Sequence, residues 1–159
     1  MIKITLIAVG GLKDSHWKAA DAEYAKRLSA YCSYEEIEIS PAFLPENPSA
    51  AQISAALEEE GKKIIAKIPK QSRVFAMCIE GKEPDSVALA KKIEDITSVC
   101  GHLTFIIGGS YGLSEAVKSA SHERLSMSKM TFPHRMARIM LLEQIYRCFK
   151  INGGGTYHK

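Results

Sequence analysis

No apolar run in the sequence approaches the roughly 18 residues that a membrane-spanning helix requires. The four cysteines, Cys32, Cys78, Cys100 and Cys148, lie far apart, and no CxxC or CxxH pair supplies zinc-ligand spacing, so no metal is expected. They read as reduced thiols, three of them among apolar neighbours, which points to a cytoplasmic compartment. Neither GxGxxG nor GxxxxGK(S/T) occurs, which removes the dinucleotide and P-loop readings. Internal repeats and low-complexity tracts are also missing. The opening Met1-Ile2-Lys3-Ile4-Thr5 lacks the form of a signal peptide and reads as a strand.

What remains is ordinary for a soluble domain. At 159 residues, with 46% hydrophobic and 25% charged, the chain is long enough for a sizeable core and short enough for one domain, 1–159. The net charge of +3 is small, but it is unevenly placed. Residues 122–159 carry seven Lys/Arg against two Glu, while the rest of the chain is slightly acidic. An anionic partner near the basic third is one reading, RNA being the commonest; a solvated basic face is the other.

Along the chain, strand patterns alternate with helical ones. Residues 2–9 form an apolar, β-branched run closed by Gly10-Gly11. Trp17, Ala20, Tyr24, Leu28 and Tyr31 recur at helical spacing, with Asp14 or Ser15 as cap. Residues 35–40 alternate Glu-Ile-Glu-Ile, as a half-exposed edge strand does. After Pro41, Pro45 and Pro48, Ser49 and Gln52 form a capping box. The helix it opens carries Ile53, Ala56, Leu57, Ile64, Ile65 and Ile68, with Gly61 inside it and Pro69 beyond its end. Gly61 costs about 1 kcal/mol against Ala there, for which close packing is a reason. Residues 73–79 are nearly continuous apolar, as a central parallel strand requires, and 80–82 read as a turn. A helix through Leu89, Ile93, Ile96 and Cys100 stops at Gly101. A strand at 103–107, a short helix at 114–119 and a strand at 124–127 follow. The last helix, about 135–151, has two apolar sides: Met136, Ile139, Met140 and Tyr146, and Leu141, Leu142, Ile145 and Phe149. One side suffices for a monomer's surface helix, so two faces point either to a homodimer or to full burial within one subunit. This alternation gives an α/β fold with a largely parallel sheet.

Everything converges on residues 105–134. Gly108-Gly109-Ser110-Tyr111-Gly112 follows the strand at 103–107, and residues 128–134, Ser-Lys-Met-Thr-Phe-Pro-His, follow the next. Glycine loops at the carboxyl ends of parallel strands are how an open α/β sheet builds a ligand site. The terminal Asn-Gly-Gly-Gly-Thr-Tyr-His-Lys cannot continue a helix; its glycines make a hinge that carries Tyr157, His158 and Lys159. Such a tail is equipped to close over a site, its own or a partner's.

Ile-Gly-Gly-Ser-x-Gly, Leu-Ser-x-Ser-Lys-Met-Thr-Phe-Pro-His, the terminal Tyr-His-Lys, and the amino-terminal Lys-Ile-Thr-Leu-Ile-Ala-Val-Gly together resemble the ribosomal RNA large subunit methyltransferase H family. The resemblance covers essentially the whole chain. It implies a SPOUT-class methyltransferase with a trefoil knot in the carboxyl-terminal part, overriding the ordinary absence of knots. It also implies a homodimer, S-adenosylmethionine as methyl donor, and methylation of N3 of a pseudouridine in helix 69 of 23S rRNA within the assembled 70S ribosome. By the same resemblance the donor is held by Met77, Gly108, Met127, Ser128, Lys129, Met130, Thr131 and Phe132. Adenine needs an apolar slot and main-chain groups, which methionines and loop backbone supply. Gly11 and the Asn-Gly-Gly-Gly-Thr segment depart from the family's usual lysine and Arg-Gly-Glu type segment.

Methyl transfer from a sulfonium is a direct displacement that needs alignment and removal of the N3 proton. His158 is the preferred proton acceptor, with Tyr157 placing the base and His134 as the other candidate. Arg135, Arg138 and Lys159 are expected on phosphate. A tRNA ribose 2′-O-methyltransferase of the same class and a non-catalytic ribosome-associated module are the rival readings.

Overall fold

The computed structural model describes residues 1–158. Five strands, β1 (Ile2–Val9), β2 (Cys32–Ile39), β3 (Arg73–Lys82), β4 (His102–Ile107) and β5 (Glu123–Leu125), alternate with five helices. These are α1 (Ser15–Leu28), α2 (Ala50–Lys67), α3 (Ser86–Thr97), α4 (Glu115–Ala120) and α5 (His134–Asn152). The sheet order is β2-β1-β4-β3-β5, and every pairing is parallel. β2 lies at an edge, as its alternating glutamates require. Ala8 and Met77 both pair with Ile107, so β1 and β4 end at nearly the same level, while β3 runs on past them to Lys82.

Period-2 alternation divides the core. Ile4, Leu6, Phe75, Leu103 and Phe105 face one side, against Leu28 of α1, Ile93 of α3 and Leu141, Leu142, Ile145 and Phe149 of α5. Phe75 and Phe105 stack there with ring centres 5.0 Å apart. Ile7, Val9, Val74, Ala76 and Ile106 face the other side, against Ile64 of α2 and Val117 of α4.

Local signals explain most boundaries. Ser49 Oγ accepts from Gln52 N–H, and Gln52 Oε1 accepts from Ser49 N–H, completing the capping box. At Gly61 a Cβ would stand 2.5 Å from Ser114 Oγ, so the glycine lets α2 and α4 touch. Asp14 occupies the cap position of α1 but makes no cap hydrogen bond, because its carboxylate pairs with Arg135 at 2.9 Å.

The segment 80–82 is not a turn. β3 continues through it to Lys82, with a register shift against β5 between Met77 and Lys82. Gly81 is needed for close approach: a Cβ there would lie 2.5 Å from the Leu125 carbonyl carbon. β5 is correspondingly short, and Ser126 N–H donates to Lys82 O at 2.8 Å as the chain leaves it.

Candidate active site

The carboxyl ends of β3, β4 and β5 open into a cavity of about 860 Å³. The first loop, residues 108–113, is folded on itself: Gly112 N–H donates to Gly109 O at 3.1 Å, and Gly112 has φ +80°. A Cβ on Gly108 would collide with the Gly112 carbonyl, so this loop closes only with glycine there. The second loop, residues 126–133, is tied by serines. Ser126 Oγ donates to Ser128 O at 2.8 Å and accepts from Ser128 N–H at 3.2 Å. Ser128 Oγ in turn accepts from Met130 N–H at 3.1 Å. Both loops are therefore shaped by their own short hydrogen bonds, leaving backbone and apolar side chains to face the cavity.

Of the residues expected from the sequence to hold a ligand, Met77, Gly108, Met127, Ser128, Met130, Thr131 and Phe132 line this cavity. Lys129 belongs to the same loop but is exposed and not part of the wall. His134 and Ala137 bring α5 to the wall, and Lys118 brings α4. His134 is half-buried, and burial, with Arg135 beside it, lowers its pKa from the ordinary histidine value. Glu80 and Lys118, which line the cavity as an ion pair, were not singled out from the sequence. Their pairing spans β3 and α4, and no local spacing signals it.

Tyr157 and His158 do not enter this cavity. After α5 the chain turns at Gly154, φ +68°, and Gly155 N–H donates to Lys150 O at 2.8 Å. The tail thereby folds back on its own helix. Tyr157 lies edge-on to Tyr146 at 5.0 Å, beneath the Arg147 guanidinium, and its hydroxyl donates to Glu143 Oε1 at 3.2 Å. His158 Nδ1 is 3.3 Å from Arg147 Nη1. Glu143 also lines a second cavity of about 430 Å³, which shares Met77, Leu125, Ser126 and Met127 with the first.

Arg138 corrects one expectation. It is 2% exposed and ion-paired with Glu36 and Glu38 of β2, the latter at 2.9 Å. A guanidinium so enclosed is not presented to a phosphate. Arg135 remains partly exposed beside Asp14, and Lys159 lies outside the described residues. Among the described residues no cluster of three or more His, Cys, Asp or Glu is placed to hold a metal, and no helix is long and apolar enough to cross a membrane. All four cysteines are free thiols, and burial pushes Cys32 up to about 11 and Cys148 up to about 12.

The chain, with its cavity built from the loops that follow β4 and β5, matches a family model: that of the predicted SPOUT methyltransferases aligns with residues 2–158, and the chain belongs to this family. Two curated relatives narrow the membership. The ribosomal RNA large subunit methyltransferase H of Levilactobacillus brevis is 44% identical over 160 residues, covering 99% of this chain and 100% of the relative. That of Latilactobacillus sakei subsp. sakei is 44% identical over 159 residues, with the same coverage. The chain is thus a methyltransferase of the ribosomal RNA large subunit methyltransferase H group. Solved structures agree in fold. A probable methyltransferase from Bordetella pertussis Tohama I superposes with TM-score 0.54 at 17% identity, covering 92% of this chain and 96% of that one. A probable methylase family protein from Haemophilus influenzae Rd KW20 gives 0.50 at 13% identity, covering 99% and 70%.

Proposed function

We propose that the protein transfers a methyl group from S-adenosylmethionine to N3 of a pseudouridine in helix 69 of 23S rRNA, acting as a cytoplasmic homodimer on the assembled 70S ribosome. The observation that carries this reading is end-to-end identity of 44% to relatives named for large-subunit rRNA methylation; in this chain the two loops form one cavity wall. A tRNA ribose 2′-O-methyltransferase or a non-catalytic RNA-binding module is less well supported by that identity.

The cavity suits the donor. Its volume falls within the roughly 300–1,000 Å³ of small-molecule sites. Met77, Ile107, Leu113, Leu125, Met127 and Phe132 provide apolar wall for an adenine, and the glycine loop exposes main-chain groups close by. Met77, Gly108, Met127, Ser128, Met130, Thr131 and Phe132 would hold it from the cavity wall, with the Lys129 backbone completing the second loop between Ser128 and Met130. When bound, the donor supplies an electrophilic methyl on a sulfonium. The chain's own residues align the acceptor and take up the N3 proton.

Two imidazoles can accept that proton. His158 would do so from the tail, with Tyr157 stacking on the base. In this protomer both are docked on α5, so the tail would act after release or in the partner's site. His134 is the second reading, favoured by its place in the cavity wall. The homodimer is supported by α5. Leu141, Leu142, Ile145 and Phe149 are buried, while Met136 is exposed and Ile139 and Met140 are half-buried, so the helix's other apolar side is only partly covered, Tyr146 of that side packing against Tyr31 and Tyr157. The trefoil knot is supported by membership of the SPOUT family.

The test is mass spectrometry of 23S rRNA from cells lacking the protein. One methyl group should be missing from the helix 69 fragment and restored by the gene; an unchanged fragment, with a methyl lost from tRNA instead, would select the rival.

A further inference from the structure

Among the described residues, the cavity wall contains two formally charged side chains, Glu80 of β3 and Lys118 of α4, and they form an ion pair with each other. Lys118 is 14% exposed at its side chain and also approaches Glu115 at 3.4 Å; Glu80 is 48% exposed. The rest of the wall is apolar, glycine or uncharged polar, apart from the His134 imidazole. A partly enclosed ion pair adds little net stability, because desolvation offsets most of the Coulomb gain. Its position in a ligand cavity therefore calls for a ligand-side reason.

The reason lies in charge complementarity. The amino-acid end of the methyl donor is a zwitterion, an ammonium and a carboxylate on one carbon. An acid and a base already side by side match it head to tail. We propose that Glu80 and Lys118 hold the amino-acid end of the donor, Lys118 taking its carboxylate and Glu80 its ammonium. Opening one ion pair to make two conserves charge, and each new contact is a charged hydrogen bond. The pair thereby fixes the polar end of the donor and leaves the methionines and Phe132 to hold the nucleoside. This inference rests on the assignment of the cavity to S-adenosylmethionine.

Binding measurements with truncated ligands test it. S-adenosylhomocysteine keeps the zwitterion, whereas 5′-methylthioadenosine lacks it. By calorimetry the unaltered protein should prefer S-adenosylhomocysteine, and Glu80→Gln and Lys118→Met should each reduce that preference about tenfold, the size of one charged hydrogen bond. Affinity for 5′-methylthioadenosine should stay within about twofold, because its contacts are untouched. On the unaltered protein, decarboxylated S-adenosylmethionine should bind about tenfold more weakly than S-adenosylmethionine, which needs no variant to fold. An unchanged preference in both variants overturns the proposal, as does equal loss of both ligands or equal binding of the decarboxylated donor. If the unaltered protein binds none of these nucleosides, the donor assignment of the cavity falls as well.

Discussion

Arg138 of α5 lies 2.9 Å from Glu38 Oε1 on β2 and makes a second ion pair with Glu36. The last helix is thereby locked to the far edge strand through charges at the boundary of the core. Burial lowers the Arg138 pKa, opposed by the nearby Asp21 carboxylate. Arg138→Met should cost about 3 kcal/mol in urea denaturation, since Glu36 is left in place without its partner. The salt dependence of ribosome binding should not change, because no phosphate contact is lost. A stable variant with a shallower salt slope would return Arg138 to the RNA-facing surface.

Gly61 lets α2 lie against the amino end of α4. Gly61→Ala gains about 1 kcal/mol of helix propensity but must displace Ser114 Oγ, which caps α4 through Val117 N–H. Overpacking of this kind costs about 1–3 kcal/mol and a lost cap about 1 more, so net destabilisation is expected. Denaturation of Gly61→Ala and of the same change in a Ser114→Gly background checks this. The second pair should show a neutral or stabilising effect.

Glu123 ties β5 to its surroundings, with Arg73 at 3.3 Å and Lys92 at 2.5 Å. Burial alone would raise its pKa; hydrogen bonds from Lys92 and Arg73 outweigh that and hold it below the ordinary 4.5. A carboxyl depressed in the folded state contributes stability above its unfolded pKa and loses it as pH falls through the folded value. Glu123→Gln should therefore be less stable at neutral pH, and its deficit should shrink steadily as pH is taken below about 4.5. Thermal unfolding across that range reads the difference directly; a deficit independent of pH would mean that the carboxylate charge is not what holds β5.

Much of this was legible in the sequence because the signals are local. The continuous apolar runs at β1, β3 and β4, the Ser49–Gln52 box and the alternation of β2 each depend on neighbours within one element. The two loops announced themselves by glycines and by an unusual heptad of residues at 128–134. What escaped was non-local. A glycine between polar residues, Gly81 has the sequence signature of a turn, whereas in the fold it admits the Leu125 backbone. Glu36 and Glu38 look like solvated positions until α5 brings Arg138 over them. Glu80 and Lys118 meet through the folding of β3 against the α4–β5 segment, and the tail's contacts with Tyr146 and Glu143 depend on the hinge at Gly154.

The tail separates the two proton acceptors. Removing residues 156–158 together with Lys159 should lower kcat by about 10²–10⁴ if His158 does general-base work, while S-adenosylhomocysteine affinity stays the same. If His134 is the acceptor, the truncated protein keeps most of its turnover, and the rate falls as pH drops through a value lower than the ordinary histidine one, because burial and Arg135 disfavour the protonated ring.

The most direct measurement supplies purified protein and S-adenosylmethionine to 70S ribosomes from cells lacking it, and maps the product by mass spectrometry. One methyl group on N3 of a single helix 69 pseudouridine, blocked when Phe132 is replaced by aspartate in the cavity wall, is the predicted result. Ribosomes left unmodified under conditions where the donor binds, or a methyl group placed on a ribose, would contradict it.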